Sequence, residues 1–256
     1  MMRKFVCRRA VWVWLAAAQA FVPTVAAPGG EPGGGAERRL GPARPADTLA
    51  RPAPAQLRKW VAELADADPD VRERASIDLM GIDRGDLPDL RRAVEESRPL
   101  HPNQSAALHD VVIQVYLSGE AYAGDGDLGF LGLRWSGESE SSPVMPGIVV
   151  TERFPGFCAY RMLQEGDVIL ALRERPKLVL QERNDLIHAL LPVKAGTTLH
   201  FKVLRRGAVR EVAITLDVRP AGPALASVTE IMNKRVRNAE DYWANAFLPL
   251  IQGRVS

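Results

Sequence analysis

The stretch Gly129-Phe130-Leu131-Gly132-Leu133 contains two glycines within five residues. Glycine allows positive φ and close approach of the backbone, and successive N–H groups at such a turn form a concavity that binds anions. The carboxylate at the end of a peptide is one anion that proteins capture in this way. The stretch therefore predicts a carboxylate-binding turn, with the alternative that Gly129 and Gly132 only make a tight turn.

A second candidate surface lies on a predicted helix over residues 182–191. Ile187 and Leu191 are separated by one helical turn, and Asn184 lies one turn earlier, so the three share a face. Leu186 and Leu190 fall on another face, which we predict to point into the core. An apolar face beside the turn would favour a peptide with an apolar terminus. The alternative is that Ile187 and Leu191 are buried against a sheet.

Catalytic and metal-binding patterns are missing from the sequence. The histidines fall in separate elements without the spacing of a metal site, and no serine can be matched with a base in a protease-type triad. Cys158 would be the only cysteine of an exported form of the chain, because Cys7 lies in the leader described below; we interpret Cys158 as a small buried residue rather than a reactive thiol. We expect no enzyme activity, no cofactor and no metal. The four histidines are His101, His109, His188 and His200.

The first 27 residues have the pattern of a secretory signal. Four basic residues precede an apolar stretch over residues 10–22, and small residues at Val25-Ala26-Ala27 provide a cleavage site. About thirteen apolar residues are too few to span a bilayer, although an uncleaved anchor is the alternative. We expect an exported protein of the periplasm, cell envelope or medium, with no membrane span after cleavage. Removing the basic leader leaves a nearly neutral chain, which argues against nucleic acid as a partner.

Residues 28–54 are rich in proline and glycine and are predicted to be a flexible linker. From residue 55 the apolar residues follow a helical period, and residues 55–120 predict an all-helical unit. Leu57, Val61 and Leu64 share one face, and Asp68 before Pro69 predicts the start of a second helix. Two further helices are predicted around residues 87–98 and 108–115.

Part of this helical segment resembles a HEAT-type repeat, on the residues Pro69-Asp70-Val71-Arg72, Ala75, Leu79 and Leu87-Pro88-Asp89-Leu90. Only about one and a half repeats are visible, so the segment is either a stub or a unit that packs on its neighbour. Its charged residues are interpreted as a solvated helix face rather than a binding patch. Those residues are Asp70, Arg72, Glu73 and Arg74.

Residues 121–220 change to short apolar or alternating runs bounded by turn residues, which predict strands. With the helix at 182–191 they predict an α+β fold, a small partly open β-barrel or sandwich capped by a helix. The predicted strands are residues 131–135, 147–151, 168–172, 199–204 and 209–216.

Four motifs follow one another in this region: Gly129-Phe130-Leu131-Gly132-Leu133, Gly147-Ile148-Val149-Val150, Pro155-Gly156 with Ala159, and Leu163-Gln164-Glu165-Gly166-Asp167-Val168-Ile169-Leu170. In this order they resemble the PDZ domains of the HtrA family of exported serine proteases. This resemblance implies a peptide groove between a strand edge and the helix, with Gly129, Phe130, Leu131, Gly132 and Leu133 at one end. The family joins such domains to a protease domain, which we expect to be absent here because the roughly 65 helical residues before this region are too few to form its double barrel. A serine- and glutamate-rich stretch, residues 136–146, would lengthen the loop after the binding strand.

The last segment, residues 221–256, is predicted to contain one amphipathic helix over residues 227–251. The leading hypothesis for the chain is a non-catalytic adaptor that binds extended or carboxy-terminal peptide segments by strand addition. The alternative is a regulatory subunit, or degenerate relative, of an HtrA-type protease that acts with a separate catalytic chain. A third hypothesis is a structural protein whose groove is filled by its own tail.

Overall fold

The structure, a computed structural model, describes residues 51–136, 147–181, 183–221 and 225–253; the side chains of Asp125, Arg183 and residues 225–232 are not included. The predicted signal, nearly all of the predicted linker and most of the predicted loop insertion at 136–146 lie outside the described residues. No helix within the described ranges combines the length and apolarity needed to cross a membrane.

Four helices form the first half of the described chain, as the apolar period predicts. The side chain of Asp68 accepts a hydrogen bond from the N–H of Asp70 at 2.8 Å, which confirms the predicted helix start. Leu57, Val61 and Leu64 are buried in the core of these helices, as predicted. The helices are α1 (Pro54–Glu63), α2 (Pro69–Leu79), α3 (Leu87–Glu96) and α4 (Pro102–Ser118).

The C-terminal segment contains two helices, so the prediction of one continuous helix is wrong. Pro249 lies in the first turn of the second helix, and its ring and missing N–H prevent one unbroken helix. Trp243 and Phe247 are buried in the same core as the first four helices. We call α1–α4 together with these two helices the helical unit. The two are α7 (Leu225–Ala246) and α8 (Leu248–Ile251).

Residues 121–220, here called the strand unit, form two open antiparallel sheets with two helices, which confirms the α+β class. Five strands pair in the order β2-β3-β4-β5-β6, and β1 pairs with β7 in a separate sheet. No closed barrel is formed by the strands that the structure describes. The strands are β1 (Gly124–Phe130), β2 (Leu133–Ser136), β3 (Ile148–Arg153), β4 (Val168–Leu172), β5 (Thr198–Arg205), β6 (Ala208–Thr215) and β7 (Asp217–Pro220), and the helices are α5 (Cys158–Met162) and α6 (Arg183–Leu190).

The core of the strand unit lies between its sheet and α6. Alternate residues of β5 are buried, with Phe201 and Val203 fully enclosed, as period-two alternation requires. The two-residue turn Arg206-Gly207 joins β5 to β6. Its φ values of 51° and 78° suit the twist of a tight hairpin.

Candidate functional site

The predicted carboxylate-binding turn lies between β1 and β2. Gly132 has φ of +73°, a conformation that side chains rarely adopt. A Cβ placed on Gly132 would lie 2.2 Å from Cβ of Phe157, so glycine is required by both conformation and space. Leu131 and Leu133 on either side are buried in the core of the strand unit. The tight-turn alternative therefore describes Gly132 correctly but does not account for the hydrogen bonding of the turn.

The carbonyl groups of Leu131 and Gly132 in this turn accept hydrogen bonds from residues of one segment, 154–159. The N–H of Ala159 donates to the carbonyl of Leu131 at 3.1 Å, and the N–H of Phe154 donates to the carbonyl of Gly132 at 2.8 Å. Neither the N–H of Leu131 nor that of Gly132 donates a hydrogen bond to another described residue. Unpaired N–H groups in a buried turn are costly unless something accepts from them. The turn therefore leaves two backbone donors without an acceptor among the described residues.

The strand that follows this turn, β2, has a free edge. It pairs with β3 on one side, from Leu133 opposite Arg153 to Ser136 opposite Val149, and no described strand pairs on its other side. The open edge offers backbone hydrogen-bonding groups to a further strand. An extended segment could therefore continue the five-stranded sheet next to the turn.

The helix α6 ends close to the same turn. The N–H of Gly129 donates to the carbonyl of Val193, just after α6, at 2.9 Å. Leu186 is fully buried and Leu190 packs against the same core, which confirms their predicted inward positions. The helix is therefore fixed with its C-terminal end beside the start of the turn.

The outward face of α6 carries the other three predicted site residues. Asn184 is exposed, Ile187 is half-buried and Leu191 is 57% exposed. Leu191 continues the helical hydrogen bonding, since its N–H donates to the carbonyl of Ile187 at 2.9 Å. The apolar surface of Leu191 is accessible, so the alternative that it is buried against the sheet does not hold.

Gly129 has a role that differs from the predicted one. Its N–H is already used by Val193, and a Cβ on Gly129 would lie 2.6 Å from Cδ1 of Leu216 and 2.9 Å from the carbonyl oxygen of Val193. Gly129 belongs to β1, where the absence of a side chain permits close packing. The two unpaired donors of the turn come from Leu131 and Gly132 instead.

Phe157 packs against Gly132 of the turn, and no sequence pattern predicted this role. Its ring is 1% exposed and makes edge-on contacts with Phe130 at 5.0 Å and Tyr122 at 5.8 Å between ring centroids. The next residue, Cys158, is half-buried, and burial raises the pKa of its thiol. These features agree with a packing role for Cys158.

On the charged face of α2, Asp70 is exposed, as predicted, but the prediction of a solvated residue is wrong for Glu73. Glu73 contacts Arg205 and Arg206 of the β5–β6 hairpin, and Asp70 pairs with Arg210 at 2.8 Å. The Glu73 side chain is only 12% exposed. We call this set of five residues the charged junction. It joins the helical unit to the hairpin of the strand unit.

The charged junction extends into the strand unit through Arg205. Its guanidinium group donates to both carboxylate oxygens of Asp167, at 2.8 Å and 2.6 Å, and to the carbonyl of Met162 at 2.9 Å. Burial acts to lower the pKa of Arg205, but hydrogen bonds and charges from Asp167 and Glu73 raise it overall. Arg205 thus stays charged in the interior because two carboxylates surround it.

Three of the four histidines are engaged with partners that fit structural roles. His101 accepts from the N–H of Asn103 at the start of α4, His109 contacts Glu240 at 2.9 Å, and His200 contacts Glu174 at 2.7 Å. The fourth histidine, at position 188, is exposed on α6. Within the described ranges, no three histidine, cysteine or acidic residues are grouped so that they could hold a metal ion.

No known protein family matches the chain, and no curated protein matches it. Solved structures match part of it. A form of the HtrA-type protease AlgW with a decapeptide is 25% identical over 39% of this chain and 32% of its own, with a TM-score of 0.34. Another structure of AlgW with a decapeptide is 21% identical over 46% of this chain and 35% of its own, with a TM-score of 0.34.

A serine endoprotease from Yersinia pestis is 22% identical over 36% of this chain and 29% of its own, with a TM-score of 0.29. The chain therefore spans about a third of the length of these structures. TM-scores below 0.5 do not establish a shared fold.

Proposed function

We propose that this chain is an exported, non-catalytic adaptor of PDZ type, whose strand unit binds the free carboxyl end of an extended peptide segment. One observation carries the proposal. The turn between β1 and β2 has its carbonyls bound by Phe154 and Ala159, its Leu131 and Gly132 donors unpaired within the described residues, and the free edge of β2 directly after it.

Strand addition explains how such a site would work. A peptide lying along β2 continues the hydrogen bonding of the sheet, which gives affinity with little dependence on sequence. Its terminal carboxylate then meets the N–H groups of Leu131 and Gly132, and hydrogen bonds to a charged acceptor are the stronger kind. The carboxylate therefore fixes the register of the peptide on the strand.

The apolar side of α6 supports a preference for an apolar terminal residue. Leu191 is 57% exposed and Ile187 is half-buried, so both can lose water contact when a peptide is bound. A short segment with one or two buried side chains leaves only a modest surplus after the peptide is ordered. We expect a Kd on the order of micromolar, about −8 kcal/mol.

The proposal that the chain is non-catalytic is supported by the engaged histidines. The ring of His101 caps a helix, and the rings of His109 and His200 contact carboxylates, so none of these three rings is hydrogen bonded to a serine or cysteine of the described residues. Incubating pure protein with unfolded casein is the direct assay, and we expect no cleavage. Cleavage that survives repurification and scales with the amount of this chain would overturn this part of the proposal.

Export is supported by the leader pattern of the first 27 residues. N-terminal sequencing of the protein recovered from the cell envelope or medium should find a chain that begins near Pro28. Recovery of an intact Met1 from the cytosol would contradict export.

The binding proposal is tested by titrating fluorescent peptides that end in Val or Leu, with either a free or an amidated terminus. We expect the free carboxylate to bind at least about tenfold more tightly, because amidation removes a charge-assisted hydrogen-bonding group worth about 1.5–3 kcal/mol. Equal binding of the two peptides would show that the groove, if used, accepts internal segments.

Two exposed apolar residues provide a matched pair of variants for the same titration. Leu191 on α6 and Val209 on the hairpin are each 57% exposed. Leu191→Asp places a carboxylate on the apolar side of the groove and should weaken binding by about tenfold or more. Val209→Asp makes a similar change at a residue of equal exposure, but Val209 lies on β6, at the opposite edge of the sheet from β2. This variant should bind peptide as the wild type does.

A further inference from the structure

We propose that Gln114 of the helical unit is a positioning residue for the carboxylate-binding turn, an inference that rests on the proposed function. Gln114 lies in α4 and is 3% exposed. Its Nε2 donates to the carbonyl of Phe157 at 3.2 Å, and its Oε1 accepts from the N–H of Gly156 at 2.6 Å. One buried side chain thus binds two consecutive residues of the strand unit.

The segment that Gln114 binds is tightly fitted against α4. Gly156 has φ of +88°, and a Cβ placed on it would lie 2.8 Å from Cβ of Leu117. Only glycine satisfies both the conformation and the space, so the backbone of this segment lies directly against the helix. We call the contact of Gln114 and Leu117 with Gly156 and Phe157 the turn junction.

The same segment holds the carboxylate-binding turn. Phe157 packs against Gly132 so closely that no side chain fits between them. On either side of Phe157, Phe154 donates to the carbonyl of Gly132 and Ala159 donates to the carbonyl of Leu131. Gln114 therefore binds the middle of a six-residue segment whose two ends fix the carbonyls of the binding turn.

Fixing the carbonyls of a turn also fixes the direction of its N–H groups, because each peptide unit is planar. Hydrogen bonds weaken steeply as the donor angle departs from linearity. Loss of the Gln114 contacts would let the 154–159 segment shift and would misdirect the donors of Leu131 and Gly132. The expected loss falls on recognition of the carboxylate rather than on pairing along β2.

The chain offers a matched control on the same helix. Gln104 is 7% exposed in α4, and its Nε2 donates to the carbonyl of Val61 at 2.9 Å while its Oε1 accepts from the N–H of His101 at 2.7 Å. Both glutamines are buried and bind two backbone groups. Gln104 binds only within the helical unit, whereas Gln114 reaches the strand unit.

The experiment compares full-length wild type, Gln114→Met and Gln104→Met. Methionine has a similar volume to glutamine and removes both hydrogen bonds. For each protein we would measure the thermal midpoint and the affinities for free and amidated peptides. We expect Gln114→Met to bind the free peptide about tenfold more weakly with unchanged affinity for the amidated peptide. Gln104→Met should lose comparable stability but keep the wild-type ratio of affinities.

Gln114→Glu is a second variant, because it keeps the acceptor for the Gly156 N–H and loses only the donor to the Phe157 carbonyl. It should lower the affinity ratio in the same direction. A wild-type ratio in folded Gln114→Met, or in Gln114→Glu if the first variant does not fold, would overturn the inference alone. A wild type without any preference for the free carboxylate would overturn both the inference and the proposed function.

Discussion

Two of the contacts between the helical unit and the strand unit are of opposite character. The charged junction uses long side chains of α2 and the β5–β6 hairpin, and part of it is open to solvent. The turn junction uses the buried amide of Gln114 and the backbone of Gly156 and Phe157. Long charged side chains tolerate small shifts, whereas a buried amide bound to two peptide groups does not. We infer that the first contact supplies stability and that the second sets geometry at the proposed groove.

The largest expected effect is at Asp167, the buried partner of Arg205 in the charged junction. Asp167 is 1% exposed and is hydrogen bonded to Arg205, so Asp167→Ala leaves a guanidinium group in the interior with only part of its compensation. We expect a loss of about 3–5 kcal/mol in the free energy of unfolding, measured with urea. The control is Glu152→Ala, which breaks a surface pair with Arg134 and should cost about 1 kcal/mol or less. Similar losses in the two variants would contradict a special role for the buried charge.

The second-largest effect tests whether the geometry of the carboxylate-binding turn controls peptide recognition. Gly132→Ala introduces a methyl group 2.2 Å from Cβ of Phe157 at a positive φ, and it should cost about 2–3 kcal/mol and remove the preference for a free carboxylate. Gly126→Ala is the matched control, since Gly126 has φ of +59° and nothing within 4 Å of an added Cβ. It should cost only about 1 kcal/mol and leave peptide binding unchanged. If the two substitutions affected peptide binding equally, the turn at Gly132 would not be part of the peptide-binding site.

A smaller effect is expected for Glu73→Ala in the charged junction. The variant removes the carboxylate shared by Arg205 and Arg206 and should lower the free energy of unfolding by about 2 kcal/mol. Affinity for the free-carboxylate peptide should not change. If Glu73→Ala alters peptide affinity as Gln114→Met is expected to do, the inference that the charged junction supplies stability and only the turn junction sets the geometry of the groove is wrong.

The smallest effect concerns the exposed Asp70. A hydrogen bond from Arg210 lowers the pKa of Asp70 below its ordinary value of 3.8. A lowered pKa means that the ionised pair stabilises the fold above pH 3.8, and this contribution is lost as the pH falls through the lower, folded-state pKa. Wild type should thus be slightly more stable than Asp70→Asn near pH 6, and the difference should shrink on acidification and in high salt. A difference that grows at low pH would contradict the assignment.

Local patterns in the sequence predicted much of this fold. The apolar period around Leu57 and Val61 and the cap at Asp68 predicted two helices, because both signals act within a few residues. The inward position of Leu186 was predicted in the same way. Strand β1 was not, since the stretch Gly124–Phe130 contains three glycines and two aspartates and becomes a strand only by pairing with β7.

The two junctions could not be predicted, for different reasons. Glu73 and Arg205 are 132 residues apart, so nothing near either residue indicates the pair. Gln114 did leave a signal, because it is a polar residue between Val111 and Val115 on a buried helix, and such a residue needs a hydrogen-bonding partner. The partner itself, the carbonyl of Phe157, could be found only from the fold.

The position of Trp243 and Phe247 in the core of the helical unit has a consequence for the order of folding. These two residues belong to the same core as the first four helices, but they follow the whole strand unit in the chain. Pairing of β1 with β7, at Gly124 opposite Pro220, brings the ends of α4 and α7 together and shortens the loop that must close before Trp243 and Phe247 can pack. Folding of the strand unit should therefore precede completion of the core of the helical unit.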